Sequence, residues 1–434
     1  MNKKKLIVMS NDALVYEDLA VLKGMPELEN VFREGAVVKR VRTVYPSVTY
    51  PCHVSIASGC YPDKTGVASN EEVQPGNCGS KPWHWFHDVV KCRDLFDAAK
   101  KNGLSTGAVF WPVTGNHPSI DYLVDEYWKQ GDDDDIRDVF LRSGTSEELW
   151  NRVVRYYVNG CHIRKHPETN YLIMDCACDI IKYYQPDLLM IHPANIDAAR
   201  HKSGVFSDLV TDAVRSAGEW MVRIITATKN AGTFEDTVFA FVSDHGQLNI
   251  TRRINLNVLL REAGLIDVDE YGEVSDWRAW SHSVGLSAQI YLKRPEDTDT
   301  LQKVENVMKQ AVSRGVYGIE RYYTKEQAEE EEHLAGDFSF VVETDGYTSF
   351  ADDWKEPLVH PMDLGDYRYG KATHGHNPSK GPQPPLILWG PGIKKGAVLD
   401  RCNIVDEAPT FADILGVALP DADGRSLREL LEER

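Results

Sequence analysis

Five places in this chain set acids, histidines or a hydroxyl beyond an apolar run or in a loop. Asp12 follows the apolar run Leu6–Met9. Thr49 sits in Tyr45–Pro46–Ser47–Val48–Thr49–Tyr50–Pro51–Cys52–His53. Asp197-x-x-x-His201 follows the run Asp187–His192. Asp244–His245 closes the run Thr237–Val242 and is followed by Gly246. Thr373–His374–Gly375–His376 lies shortly before another apolar run. Carboxylate, imidazole and hydroxyl donors without thiolate suit zinc or manganese. Two such ions a few ångströms apart form the usual clamp for displacement at phosphorus. Pro51 is a favoured first residue of a helix, which predicts Thr49 near a helix N-terminus. That position attracts phosphate and lowers the cost of ionising a hydroxyl.

These residues need elements to bring them together, and the pattern supplies them. Strands are predicted at Leu6–Met9, Ser105–Trp111, Asp187–His192, Thr237–Val242 and Pro385–Trp389. Between them, Glu17–Leu22 begins a helical stretch. Helices are predicted over Pro51–Ser58, Arg93–Asn102, Glu147–Val158, Tyr171–Tyr184 and Phe206–Lys229. Strands alternating with helices imply an α/β fold, with a mostly parallel central sheet and helices on both faces. In open sheets of this kind ligands bind beyond the carboxyl ends of the strands, where Asp12 and Asp244–His245 fall. From about residue 250 to 365 the alternation changes. A strand at Ser287–Leu292, helices at Thr300–Ser313 and Lys325–Leu334, and a strand at Phe338–Glu343 predict an inserted α+β cap. The core is then 1–249 with 366–434.

Composition narrows the function. A chain of 434 residues with formal net charge −18 is poorly suited to gripping extended nucleic acid through its phosphates. A small anionic substrate stays compatible, because a bound cation reverses the local field. No apolar run approaches a membrane span. The basic start Met1–Asn2–Lys3–Lys4–Lys5 leads into an apolar run too short for a signal peptide, so the expectation is a cytoplasmic protein with reduced cysteines. Nothing in the pattern sets an oligomeric state.

Taken in order, the motifs resemble the nucleotide pyrophosphatase/phosphodiesterase family of the alkaline phosphatase superfamily. The matching segments are Asp12, Thr49–Tyr50–Pro51–Cys52–His53, Tyr61–Pro62–Asp63–Lys64–Thr65–Gly66, Asn70, Asp187 through Asp197 and His201, Ser243–Gly246, and Thr373–His374–Gly375. The resemblance implies an alkaline-phosphatase-like fold and two divalent metal ions, zinc first and manganese as the alternative. One ion is implied at Asp12, Asp244 and His245 with Thr49 as nucleophile. The other is implied at Asp197, His201 and His374. It also implies that Asn70 donates to a phosphoryl oxygen, that a phosphoryl-threonine forms, and that the substrate is a small nucleotide-like phosphate ester. Tyr50, beside the nucleophile, is expected to stack on a nucleobase or other leaving group. Three positions depart from the family pattern. Thr65 stands for a histidine, Ala13 for a glycine, and His376 for an aromatic residue, which makes His376 a rival to His374 as ligand.

Blander readings stand beside these. A lone Asp or His is usually a cap or turn residue. His53 is read as structural. Trp83–His84–Trp85 reads equally as pocket wall or packed loop, and Trp111 as pocket or core. Asp132–Asp135 reads as a solvated acidic loop, since it lacks a calcium loop's glycine and distant glutamate. Rival functions are a C–P hydrolase of the phosphonoacetate hydrolase type and a phosphomonoesterase. The first would need extra cations, with Lys64 and Lys371 as candidates. A non-catalytic metal- or ligand-binding protein is the reading from another class, and the intact nucleophile argues against it.

Overall fold

Along the central strands successive side chains point to opposite faces, so an all-apolar strand feeds two cores at once. In β1 (Lys5–Ser10), Ile7 and Met9 join one buried cluster, while Leu6 and Val8 join another. Leu188 to Ile191 and Val238 to Val242 divide between the same two clusters. The computed structural model describes residues 4–158, 161–365 and 370–433. The opening Met1–Lys3 and the expected boundary at 366 lie outside them.

Seven further strands complete the main sheet: β2 (Ala36–Arg42), β3 (Thr106–Val109), β4 (Tyr122–Val124), β5 (Leu188–Ile191), β6 (Thr237–Val242), β7 (Leu386–Trp389) and β8 (Val398–Asn403). Their order is β8-β2-β7-β6-β1-β5-β3-β4. β7 runs antiparallel to both its neighbours, and the other pairs are parallel. The expected mostly parallel sheet covered on both faces is therefore present. One face carries the long helices Glu168–Tyr183 and Asp208–Ala231. The other carries Thr49–Ser58 and Glu407–Leu415. Among the described residues no helix is long and apolar enough to cross a membrane.

Most predicted elements differ from the observed ones by a residue or two at each end. The helix expected at Pro51 starts earlier, at Thr49, with Val48 as its cap and Pro51 still inside the first turn, where a missing N–H costs nothing. The stretch Glu147–Val158 is two pieces, because Val153 leaves helical geometry and a short 3-10 turn, Val154–Tyr156, follows. Between residues 252 and 361 lie an antiparallel strand pair, Ile266–Val268 with Val274–Trp277, and two larger sheets. One is antiparallel, of Ala279–Ser283, Ser287–Leu292, Phe340–Thr344 and Ile319–Thr324. The other joins Thr348–Ala351, Arg252–Asn255 and Val359–Pro361. The helices Thr298–Arg314 and Lys325–Glu332 accompany them, and a third buried cluster centres on Trp280 and Phe350.

Candidate metal centre

The carboxyl edge of the sheet gathers the site. β1 and β6 pair with Ser10 opposite Val242, so Asp12 and Asp244 leave neighbouring strands together. The Asn11 N–H donates to Val242 O at 2.9 Å, and the Ala13 N–H donates to Asp244 Oδ1 at 3.1 Å. Oδ1 of Asp244 is thereby committed. Oδ2 of Asp244 and Oδ1 of Asp12 are shielded from solvent without a hydrogen-bond partner among the described residues. His245 Nε2 lies 3.2 Å from Asp244 Oδ2, 3.6 Å from Asp12 Oδ1 and 3.2 Å from the Thr49 hydroxyl oxygen. A tetrahedral ion with bonds of about 2.0–2.1 Å separates its ligands by about 3.3 Å. Asp12, Asp244 and His245 are spaced to share one such ion, with the Thr49 hydroxyl at ligand spacing from His245.

The second set lies across the cleft. His201 Nε2 is 3.3 Å from Asp197 Oδ2, and His374 Nε2 is 3.8 Å from Asp197 Oδ1. His201 Nδ1 is 2.7 Å from the Ala372 carbonyl, which can only accept, so Nδ1 carries a proton and the ring is held with Nε2 toward Asp197. In the neutral ring that leaves Nε2 as the ligating nitrogen, and a carbonyl fixing the ring through its other nitrogen is the usual arrangement for a metal-bound histidine. The His245 and His374 rings stack at 4.2 Å between the two sets. Asp12, Asp244 and His245 bring ligand atoms within 4.8 Å of one another, as do Asp197, His245 and His374.

The electrostatics describe a site that lacks positive charge. Burial, reinforced by the Asp244, Asp197 and Glu126 carboxylates, pushes Asp12 well above the usual range. Burial raises Asp244 to about 7. Burial works against the Asp197 carboxylate too, but the facing His201 ring, by attraction and hydrogen bond, outweighs it and holds Asp197 low. Burial presses His374 down to about 4 and His245 well below its normal value, which leaves both rings neutral and able to ligate. The donor set, the orphaned oxygens and the spacing all fit two divalent cations.

His374 rather than His376 faces this cleft. His376 is buried behind it, where its carbonyl accepts from the Ser47 hydroxyl at 2.7 Å. Asn70 lines the cleft, and its Oδ1 accepts the Tyr50 N–H at 2.8 Å, so the amide is oriented with its NH2 as the remaining group. Tyr50 itself is fully buried, edge-on to Trp83 at 5.2 Å, and it is Trp83 that stands on the cleft wall. The expected stacking surface thus falls to Trp83 and Trp128, with the Arg164 guanidinium 5.5 Å and 4.5 Å from their rings. Trp85 is a packed residue beside Tyr127, and Trp111 packs in the core against His53. His53 is structural, with Nδ1 donating to Thr49 O at 2.8 Å and Nε2 2.9 Å from Ser10 Oγ. Asp134 and Asp135 cap backbone amides in an exposed loop.

Sequence reading passed over two residues here. His192, one residue beyond β5, lies 3.1 Å from Asp12 Oδ2 and lines the cleft. Its strand-end position, like that of Asp244, was the available signal. Glu126, two residues beyond β4, also lines the cleft, and burial raises it to about 8. No strand was predicted there to point to it.

Asp12, Thr49, Asp197, His201 and His374 line one cleft of about 440 Å³, while Asp244 and His245 are fully buried. Residues 6–377 match the family model for type I phosphodiesterase / nucleotide pyrophosphatase. The chain belongs to this family. Among its relatives, the mouse ectonucleotide pyrophosphatase/phosphodiesterase family member 1 is 23% identical over 443 residues, which cover 98% of this chain and 42% of that protein. This chain therefore spans about two fifths of the length of that phosphodiesterase. The human bis(5'-adenosyl)-triphosphatase is 21% identical over 424 residues, covering 95% of this chain and 78% of the relative. The solved structure of murine ectonucleotide pyrophosphatase/phosphodiesterase 5 superposes with a TM-score of 0.69 at 16% identity, covering 99% of this chain and all of that one. An inactive threonine-to-alanine variant of it has been solved in complex with AMP. The shared fold is that of the type I phosphodiesterases.

Proposed function

We propose that the protein is a metal-dependent hydrolase of phosphodiester or pyrophosphate bonds in nucleotides or related small molecules, acting through a phosphoryl-threonine intermediate. The observation that carries this reading is the Thr49 hydroxyl, 3.2 Å from His245 Nε2, which itself lies 3.2 Å and 3.6 Å from the orphaned oxygens of Asp244 and Asp12. Asp12, Asp244, His245 and Thr49 would hold one divalent ion, and Asp197, His201 and His374 the other. Zinc suits these donors best, with manganese as the alternative. When bound, the two ions supply the positive charge that favours an ionised hydroxyl and offsets charge on the phosphoryl and leaving oxygens.

The chain's own residues do the rest. Thr49 is the first residue of its helix, so backbone N–H groups of the first turn face the position of the transferred phosphoryl. Its oxygen forms the new bond to phosphorus as the bond to the leaving oxygen breaks, and water later cleaves the phosphoryl-threonine. The Asn70 NH2 donates to a non-bridging oxygen, oriented by the Tyr50 N–H. Trp83 and Trp128 offer an apolar wall to the organic group of the substrate. His282 to Gly285 also line the cleft, which supports residues 250–365 as a cap that narrows substrate choice.

The phosphonoacetate reading loses its proposed clamp. Lys64 Nζ is engaged outside the cleft by the Asp421 carbonyl at 2.8 Å, and neither Lys64 nor Lys371 lines the cleft. A substrate panel tests the proposal. Turnover of an aryl nucleotide diester without release of phosphate from phosphonoacetate is expected. The reverse pattern, or phosphomonoester turnover alone, rejects it.

A further inference from the structure

Ala13 stands where the family resemblance leads one to expect glycine, and its backbone explains why a substitute has a role to fill. Its φ is +58°, a left-handed conformation that is strained for an L-residue with a side chain. Such strain persists where the surroundings over-determine it. Here both sides of the Ala13 residue are fastened. Its N–H donates to Asp244 Oδ1 at 3.1 Å, and its carbonyl accepts from Arg200 Nε at 3.0 Å.

Arg200 lies on the helix Asn195–Ser203, between Asp197 and His201, and is fully buried. Beyond Ala13, its guanidinium donates to the Asp18 carboxylate and to the Val205 carbonyl. Asp18 in turn accepts the Val15 N–H at 2.9 Å, closing the loop that follows Asp12. Burial alone would raise Asp18, and the Arg200 charge opposes that rise. A continuous bonded path thus runs from the helix bearing one ligand set, through Arg200 and Ala13, to Asp244 and Asp12 of the other. Arg200 touches none of the donor atoms in that other set.

We propose that Arg200 is a positioning residue that couples the two halves of the centre. By holding the Ala13 carbonyl it keeps the Ala13 N–H on Asp244 Oδ1, and so leaves Oδ2 as the oxygen offered to a divalent cation. It also fixes the exit of Asp12, the neighbouring residue, from β1. This rests on the metal reading above. A single planar guanidinium reaches three acceptors in fixed directions, which an ammonium on a flexible stem does not reproduce.

The test isolates the first set. In chelator-stripped protein carrying His374→Ala, titration with Zn2+ by calorimetry should show one ion held by Asp12, Asp244 and His245. Adding Arg200→Lys should weaken that ion about 10- to 100-fold, the usual cost of losing an outer-shell partner. If the single change fails to fold, Arg200→Gln combined with Asp18→Asn removes both buried charges together and reads the same affinity. Unchanged affinity in a folded variant overturns the coupling. Absence of any bound ion in the His374→Ala background overturns the metal reading itself, which keeps the two failures distinct.

Discussion

His245 Nε2 lies 3.2 Å from the Thr49 hydroxyl oxygen, and the two residues come from opposite sides of the sheet edge, one from a helix start and one from the end of β6. The hydroxyl makes no other hydrogen bond among the described residues, and the fold's hold on this helix runs through its backbone and through His53. Thr49→Ala should therefore fold normally and lose turnover by roughly 10³-fold or more, as expected for a nucleophile acting within a unit. Acid-quenched wild-type enzyme should yield a phosphorylated peptide containing Thr49. Turnover by the alanine variant near the wild-type rate rules out the covalent route.

His374 and His376 are separated by one glycine but face different surroundings. His374 Nε2 points to Asp197, whereas His376 is packed near Lys380 and pushed down to about 3 by burial. His374→Ala should lower the bound metal from two ions to about one, measured by elemental analysis after dialysis. His376→Ala should retain both ions. Treatment with a chelator should abolish activity, with recovery on adding Zn2+ or Mn2+. Equal metal loss in the two variants contradicts the assignment.

Lys81 is fully buried and pairs with Asp352, with His282 Nδ1 at 3.3 Å. It pins the Asn70–His87 loop, which carries Trp83, to the strand Ala279–Ser283. Lys81→Met keeps the volume but leaves Asp352 charged and unpaired in the interior. The expected destabilisation is about 3–5 kcal/mol, read from denaturant midpoints. Lys81→Met with Asp352→Leu should recover much of that loss. A single variant within experimental error of the wild type shows the pair to be expendable.

The main sheet and the candidate metal ligands were legible because their signals are local. Thr237–Val242 is apolar throughout, since a strand buried on both faces needs no polar alternation, and its end announces Asp244–His245. β2 and β8 were not legible. Ala36–Arg42 and Val398–Asn403 hold charged residues such as Lys39, Arg40, Asp400 and Arg401, and these near-edge strands are defined by pairing with each other. β4 has three residues, too few for any periodicity, so Glu126 beyond it could not be placed. The orientation of Tyr50 was equally invisible. Its neighbour Thr49 faces the cleft, but on a helix adjacent residues point about 100° apart, and Tyr50 turns into the cluster with Val54, Val67 and Val113.

A pH-dependent contribution to stability is expected away from the centre. His117 Nε2 lies 3.0 Å from Asp94 Oδ2, and both are buried. Burial opposes the charge on each, but their mutual attraction outweighs it, so Asp94 is held below its ordinary value and His117 above. The depressed carboxylate contributes stability that is present above its unfolded value, about 3.9, and is lost as pH falls through its folded value. The raised imidazole contributes stability that is complete below its unfolded value, about 6.5, and is lost as pH rises through its folded value. The pair therefore contributes most between about pH 4 and 6.5. His117→Asn should lower the denaturant midpoint most near pH 5.5, with the difference from wild type shrinking toward pH 8.5 as the imidazole loses its proton. A difference that grows steadily with pH would contradict the ion pair and leave a neutral hydrogen bond in its place.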